Sequence, residues 1–285
     1  MMIREITEEN IQGYLDFIPA ELLGEIKREY WRGLAGTEET SDGMTAGVLW
    51  ELKNMEDEEE ANEAEIMWFY AKNASDGEGV LESLNRSLKN DEVKRVYFEI
   101  PSLSDEEEKA LSASGYTLEI TESRDIYVSA EEIGTLKISK KKPESYVHSL
   151  SDISPRQFKA GIMTCVFHDR YGLLEDLPFL PMTRFDPDLS CCVLTDGSVD
   201  GFLLVHKITG GPFIVELLFA EQPDADIHLL NMMRFAARAV ARLESPETKV
   251  LLRKHNKGST ELIRKLFPGK KGEMVCRGEL KLFYR

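Results

Sequence analysis

The chain has four cysteines, Cys165, Cys191, Cys192 and Cys276, and no two stand in the C-x-x-C spacing of a zinc site or a redox pair. They read as buried or free thiols, with Cys191 and Cys192 as core and edge positions of a strand, since no base is supplied by spacing. The five histidines lack metal-ligand spacing such as H-E-x-x-H, so no metal is expected. Ordinary surface or core roles suit them, with His168 and His255, at the ends of apolar segments, as outside candidates. No apolar run approaches the roughly 18 residues that span a bilayer. The amino-terminal MMIREITEEN has no apolar signal core. These absences predict a cytoplasmic protein with no membrane partner. Basic charge is scarce in the first half: residues 1–135 hold 12 Lys+Arg against 33 Asp+Glu, leaving 23 against 18 for the rest of a chain of formal charge −16. Such a chain repels phosphate backbones, so nucleic acid is not an expected partner, although the second half can still hold a phosphorylated small ligand.

What is present is an order of elements that occurs twice. In the first half, Ile3–Ile6 reads as a strand, and Thr7 as the N-cap of helical stretches 8–18 and 21–31. A Gly/Thr/Ser-rich loop follows, then the strand TAGVLWELKN, the acidic run MEDEEEANE as an exposed hairpin connection, and the buried strand EIMWFYA. A G-x-G loop comes next, with Val80, Leu81, Leu84 and Leu88 at helical spacing after it. The strand VKRVYFEI, a helix capped by Ser104 and ended by Gly115, and a strand pair TLEI and DIYV complete the half. KISKKKPES, residues 137–145, reads as a linker between domains 1–136 and 146–285.

The second half replays this order. It has a helix over 155–167, a proline-bearing loop, a hairpin turning at Asp196-Gly197, the strand PFIVELLFA and a strong amphipathic helix over 226–243. The strand TKVLLRKHN, the helix STELIRKLF and a closing pair, GEMVCRG with ELKLFYR, follow. At a constant offset of 149 residues, FYAKNASDGEGVLESL lies over LFAEQPDADIHLLNMM, with Tyr70-Ala71 on Phe219-Ala220.

On these residues each half resembles the GNAT acetyltransferase domain, and the whole chain a tandem GNAT protein. The resemblance covers nearly the whole chain and implies a mixed α/β fold: two tandem domains, each a mixed, mostly antiparallel sheet flanked by helices. In that family a hairpin strand with a Gly, here Gly47 and Gly201, leads to a splayed central strand, a loop of pattern [Q/R]-x-x-G-x-[G/A] and a helix. Glycines let a backbone approach a pyrophosphate, and a helix N-terminus presents unpaired N–H groups with partial positive charge. Gly77 and Gly79 match the two glycine positions of residues 74–79. Ala74 stands where the family has Gln or Arg, and Asp76 and Glu78 bring negative charge to the place of the phosphate. In the second copy Gln222 takes the first position, with Ala225 and Ile227 for the glycines.

The resemblance implies acetyl-CoA as co-substrate and transfer of its acetyl group to the amine of a small substrate, and the acidic first half favours a cationic one. The cofactor-binding residues it implies are Tyr70, Ala71, Gly77, Glu78, Gly79, Phe219, Ala220, Gln222, Ala225, Asp226 and Asn256. Arg253, Lys254 and Lys257 beside Asn256 are either contacts for a nucleotide phosphate or solvated charges. Glu216 and Glu65 stand where the family often has a base, and Glu216 lies in an otherwise apolar strand, which favours a raised pKa. The alternative is that Glu216 faces solvent at a pleat or pairs with a cation such as Arg184 or Lys207. The family's usual general acid, a Tyr in the helix after the fifth strand, is replaced near that position by Ser112 and Ile263. The rival reading is a catalytically inactive GNAT-like CoA-binding or regulatory module. A monomer or homodimer is expected.

Overall fold

Apolar and β-branched runs punctuated by Gly, Pro and acidic turns fold into two mixed sheets covered by helices. The computed structural model describes residues 1–38, 43–53, 62–208 and 211–283, and most of the acidic run, 54–61, lies outside them. In chain order the elements are β1 (Met2–Glu5), β2 (Trp31–Thr37), β3 (Met44–Lys53), β4 (Glu63–Ala71), α1 (Ala74–Asn90), β5 (Arg95–Ile100), α2 (Asp105–Ala113) and β6 (Thr117–Glu122). They continue with β7 (Asp125–Ser129), α3 (Ala130–Thr135), β8 (Val147–Ser149), α4 (Pro155–Phe167), β9 (Cys191–Thr195) and β10 (Ser198–Lys207). The last are β11 (Phe213–Ala220), α5 (Ala225–Leu243), β12 (Lys249–Arg253), α6 (Lys257–Leu266) and β13 (Met274–Lys281).

The chain divides into two compact units, residues 1–123 with 273–285 and residues 124–272. In the first unit the strand order is β1-β2-β3-β4-β5-β13-β6, and only the β4–β5 pair is parallel. Every residue of β3 is buried, because both faces of the sheet are covered. Val80, Leu81, Leu84 and Leu88 of α1 form the core on one face, and Ile6, Ile11, Tyr14, Ile18 and Ile26 cover the other. The segment 8–30, expected as two helices, is instead a series of turns around one 3-10 turn at Ile11–Tyr14, and Trp31 opens β2. Gly13, Pro19 and Gly24 recur too often for a helix to propagate. The Asn10 side chain accepts from the Thr7 N–H and donates to the Glu5 carbonyl, which fixes a turn in its place.

In the second unit the order is β7-β12-β11-β10-β9-β8, with only β11–β12 parallel. α3, α5 and α6 pack on one face and α4 with the loop after it on the other. Cys191 and Cys192 therefore point into different cores, and both are fully buried. The β9–β10 hairpin turns through Asp196 and Gly197, both at positive φ (52° and 85°), as the Asp-Gly signal implies. α4 occupies the expected residues, started by a Ser154–Gln157 capping box and Pro155. Residues 137–145 are not a free linker. Lys137–Lys140 form a 3-10 turn, the Ser139 hydroxyl donates to the carbonyls of Gly134 and Leu136, and Ile138 packs on the α5 core.

The expected strand pairs at the ends of the two halves do not form. β6 and β7 belong to different sheets, and β13 is one continuous strand set between β5 and β6. Each parallel pair is thus flanked by a strand from the opposite half of the chain. Side chains specify the exchange. Gly278 pairs with Phe98, whose ring lies where a Cβ on Gly278 would stand (2.1 Å to Cε1), so this register admits only glycine. Arg277 reaches Glu99 at 2.8 Å, and Arg95 reaches Glu279 at 3.0 Å. In the other unit Arg253 holds Asp125 of β7 through two bonds of 2.6 and 2.9 Å.

Candidate functional site

In each unit a parallel strand pair opens into a fork. β11 and β12 pair only through Phe213–Val250 and Ile214–Leu251, so the strands part at Val215 and Leu252. β4 and β5 pair through Ile66–Phe98 and then part. A β-bulge sits at the mouth of each fork. Leu204 pairs with Leu217 and Val205 with Val215, which leaves Glu216 as the extra residue. In the first unit Leu49 pairs with Trp68 and Trp50 with Ile66, leaving Met67. Met67 and Glu216 are 149 residues apart, the offset seen in the sequence. Glu65 and Glu216 therefore do not hold equivalent positions.

Glu216 is buried at 4% exposure, and its carboxylate takes two bonds from Arg184, Nη2 to Oε1 at 2.6 Å and Nε to Oε2 at 3.2 Å. The Glu216 carbonyl accepts from the Leu173 N–H at 2.9 Å, and Gly172, at φ +67°, lets that loop approach: a Cβ there would stand 2.2 Å from the same oxygen. Of the two sequence alternatives for Glu216, the pair with Arg184 is the one formed. Glu65 faces Glu51 across the sheet, with Lys53 inserted beside both. Burial opposes the charge of Lys53, but Glu51 and Glu65 outweigh it and hold that amine above its ordinary value. Arg28 reaches Glu51 at 3.0 Å and Glu25 at 2.9 Å, so Glu65 belongs to a buried network of alternating charge.

The two forks differ in what fills them. The sequence placed Gly77 and Gly79 in a loop, but both lie inside α1, which starts at Ala74 under an Asn73 cap. Gly77 is small because α2 lies against it: a Cβ there would stand 2.7 Å from the Ala110 Cβ and 2.9 Å from the Ala71 Cβ. Gly79 faces the Met1 methyl, and Glu78 is exposed. The donors at this helix end are taken from within the protein. The Ala74 N–H goes to Glu106 at 3.0 Å, the Asp76 N–H to Asn73 Oδ1 at 2.9 Å, and the Ala71 N–H to Glu107 at 3.4 Å. Lys109, and after it the Ala74 N–H, hold Glu106 below the usual glutamate range. A carboxylate thus stands where the resemblance put a phosphate, and the role it assigned to Gly77 belongs to helix packing. Tyr70 stacks on Trp68 and packs on Phe17.

In the second unit Asp224 makes no side-chain cap on α5, and the carbonyl of Asp224 receives the Ile227 and His228 N–H groups. Ala225 is buried under the first turn, Gln222 and Asp226 are exposed, and Ile227 is 56% exposed. Beneath the fork lies a cavity of about 120 Å³ with an apolar lining. Val215 and Leu218 of β11, Leu252 of β12 and Ala236, Ala237 and Val240 of α5 line it, with α6 on the far side. The stripe of α5 thins to alanine at this point. At the offset of 149, Ala237 falls on Leu88, which is fully buried in the first unit.

The other face of β11 is polar and aromatic. Phe219 lies 6.0 Å from the ring of His168, whose Nε2 is 3.5 Å from Glu221 just beyond the strand. Ala220 packs in the α5 core, opposite Gly201. Asn256 is spent as the N-cap of α6, accepting the Ser259 N–H at 2.8 Å, and Arg253 is spent on Asp125, so neither stands as a free phosphate contact. His168 stood out in the sequence by position. Glu221 gave no signal, and the cavity gave only one, the alanines at core positions of α5.

No protein-family model matches this sequence, and neither does any curated protein. Solved structures do match over the whole chain. A tandem GNAT protein from the clavulanic acid biosynthesis pathway aligns with all of this chain and 99% of its own, at 8% identity and a TM-score of 0.60. A conserved protein of unknown function from Enterococcus faecalis, described as a probable N-acyltransferase, aligns at 11% identity and a TM-score of 0.55, over 98% of this chain and 72% of that one. A GCN5-related N-acetyltransferase from Sphaerobacter thermophilus gives 12% identity and 0.53, over 98% and 95%. At these identities the likeness is one of fold: the chain has the mixed α/β tandem GNAT fold.

Proposed function

We propose that the protein is an acyl-CoA-dependent N-acyltransferase whose working site is the β11–β12 fork, and that the β4–β5 fork is its silent copy. The observation that carries this is the difference between the forks. In the first unit α2 lies on α1 at Gly77, and Glu106 and Glu107 take the N–H groups near the helix start. In the second unit α5 has no side-chain cap, and an apolar cavity lies beneath the strands. The residues of the second unit fit a thioester ligand: the first turn of α5 for the pyrophosphate and the fork for the pantetheine arm. Those of the first unit fit less well, because Glu106, Glu107 and Asn73 already accept the N–H groups of Ala74, Ala71 and Asp76.

In the reaction the amine nitrogen attacks the thioester carbonyl, the C–N bond forms, the C–S bond breaks, and the ammonium proton leaves to a base while CoA departs as the thiolate. Glu216 is held by Arg184 and keeps the bulge in shape. His168 takes the proton in this reading, with Glu221 orienting its ring and favouring a cationic amine on the same face. The acceptor is a small amine, and acetyl-CoA is the simplest donor.

Titration calorimetry of the full chain with acetyl-CoA tests the reading, with two charge reversals to locate the site. Asp226→Lys places a cation at the first turn of α5 and should tighten binding several-fold. Asp76→Lys at α1 should leave it unchanged. An absence of binding at millimolar ligand sinks the proposal, and a gain from Asp76→Lys alone would move the site to the other fork.

A further inference from the structure

We infer that the cavity beneath the β11–β12 fork is an acyl-chain pocket, and that the donor it selects carries a straight aliphatic acyl group of about four to six carbons in preference to acetyl. This rests on the reading of the second fork as the thioester site and names its substrate class.

Three observations point the same way. The first is continuity. Val215 and Leu252 are the first residues beyond the last β11–β12 pair, and both line the cavity, so a chain entering the fork meets it directly. The second is chemistry. The lining is wholly apolar, formed by aliphatic, aromatic and methionine side chains, and suits a small apolar guest. Its volume of about 120 Å³ compares with the roughly 150 Å³ of an apolar cavity that accepts benzene, which sets the scale at about four to six carbons. The third is the internal comparison. At the offset of 149 that matches β4 with β11, Ala237 of the lining falls on Leu88, a fully buried leucine, so α5 carries a smaller side chain in this stretch than α1 does. An acetyl group is too short to use this space. Each further methylene that enters it should tighten binding about fourfold.

The test is calorimetry of the intact protein, without acceptor amine, against acetyl-, butyryl-, hexanoyl- and lauroyl-CoA, on the wild type and on Ala237→Leu. Butyryl-CoA is expected to bind the wild type about fifteenfold tighter than acetyl-CoA, with the gain lost by lauroyl-CoA as the pocket fills. Ala237→Leu fills part of the cavity from the α5 side. It should erase the butyryl preference by weakening butyryl-CoA binding much more than acetyl-CoA binding, and keep or raise the Tm. Equal affinity of the wild type for acetyl and butyryl donors overturns the pocket while leaving the acyltransferase reading standing. An equal loss for both donors in Ala237→Leu also overturns it, since the substitution would then have disturbed the whole fork. Failure of every CoA thioester to bind overturns both.

Discussion

Arg184 and Glu216 form the most consequential ion pair at the fork, and their removal has a predictable sign pattern. The side chains are 10% and 5% exposed and joined by two bonds, so neither charge has water to fall back on. Arg184→Met leaves the Glu216 carboxylate buried without this counter-ion, and Glu216→Met removes one buried partner of the guanidinium. Breaking a buried pair from one side costs about 3–5 kcal/mol. Replacing both with apolar groups of similar length leaves no buried Glu216 carboxylate without its cation, so the double variant should be closer to the wild type than the sum of the two singles. A coupling energy of about 3 kcal/mol is expected from urea unfolding followed by circular dichroism, provided the m-value stays constant. Additivity within about 0.5 kcal/mol would refute the reasoning, because it would mean that the charges do not depend on each other for compensation.

Two further outcomes follow from the fold. A fragment of residues 124–272 keeps all six strands of its sheet and should fold, whereas residues 137–285 lack β7 and carry β13 without its neighbours β5 and β6, and should not. Amide dispersion in proton NMR spectra distinguishes them, and a well-folded 137–285 fragment would contradict the exchange. Burial pushes the thiols of Cys165 and Cys192 up to about 12, and raises those of Cys191 and Cys276 as well. All four should resist an aromatic disulfide reagent at neutral pH and react together once the protein is unfolded in urea. Rapid labelling of one of them in the native protein would show that its core position is wrong.

Much of the architecture was legible in the linear order of residues, because it depends on local signals. Ser104 and Ser154 begin helices through short-range caps, Asp196-Gly197 turns a hairpin through the conformations those residues tolerate, and β3 and β11 are strands by apolar content. The repeat at an offset of 149 was equally visible, and the bulges at Met67 and Glu216 obey it. The segment 8–30 was not legible. Its apolar spacing suits a helix, yet its turns are set by side-chain bonds such as those of Asn10 and by what the sheet face needs covered.

The sequence by itself determined the fold class, the twofold order of elements, the acidic first half and the inert cysteines, since propensity, capping and charge act between near neighbours. Only the tertiary structure decided which strand pairs with which. β6 and β7 are adjacent in sequence and join different sheets, and β13 finds its place through Phe98 and Glu99, more than 170 residues away. Tertiary structure also decided the fate of the G-x-G motif. A glycine looks the same in sequence whether it admits a phosphate or a neighbouring helix, and at Gly77 the atoms that come close are those of Ala110 and Ala71. The β11–β12 fork lies over an apolar cavity lined in part by Ala236, Ala237 and Val240, a feature that depends on how α5 and α6 pack on the sheet.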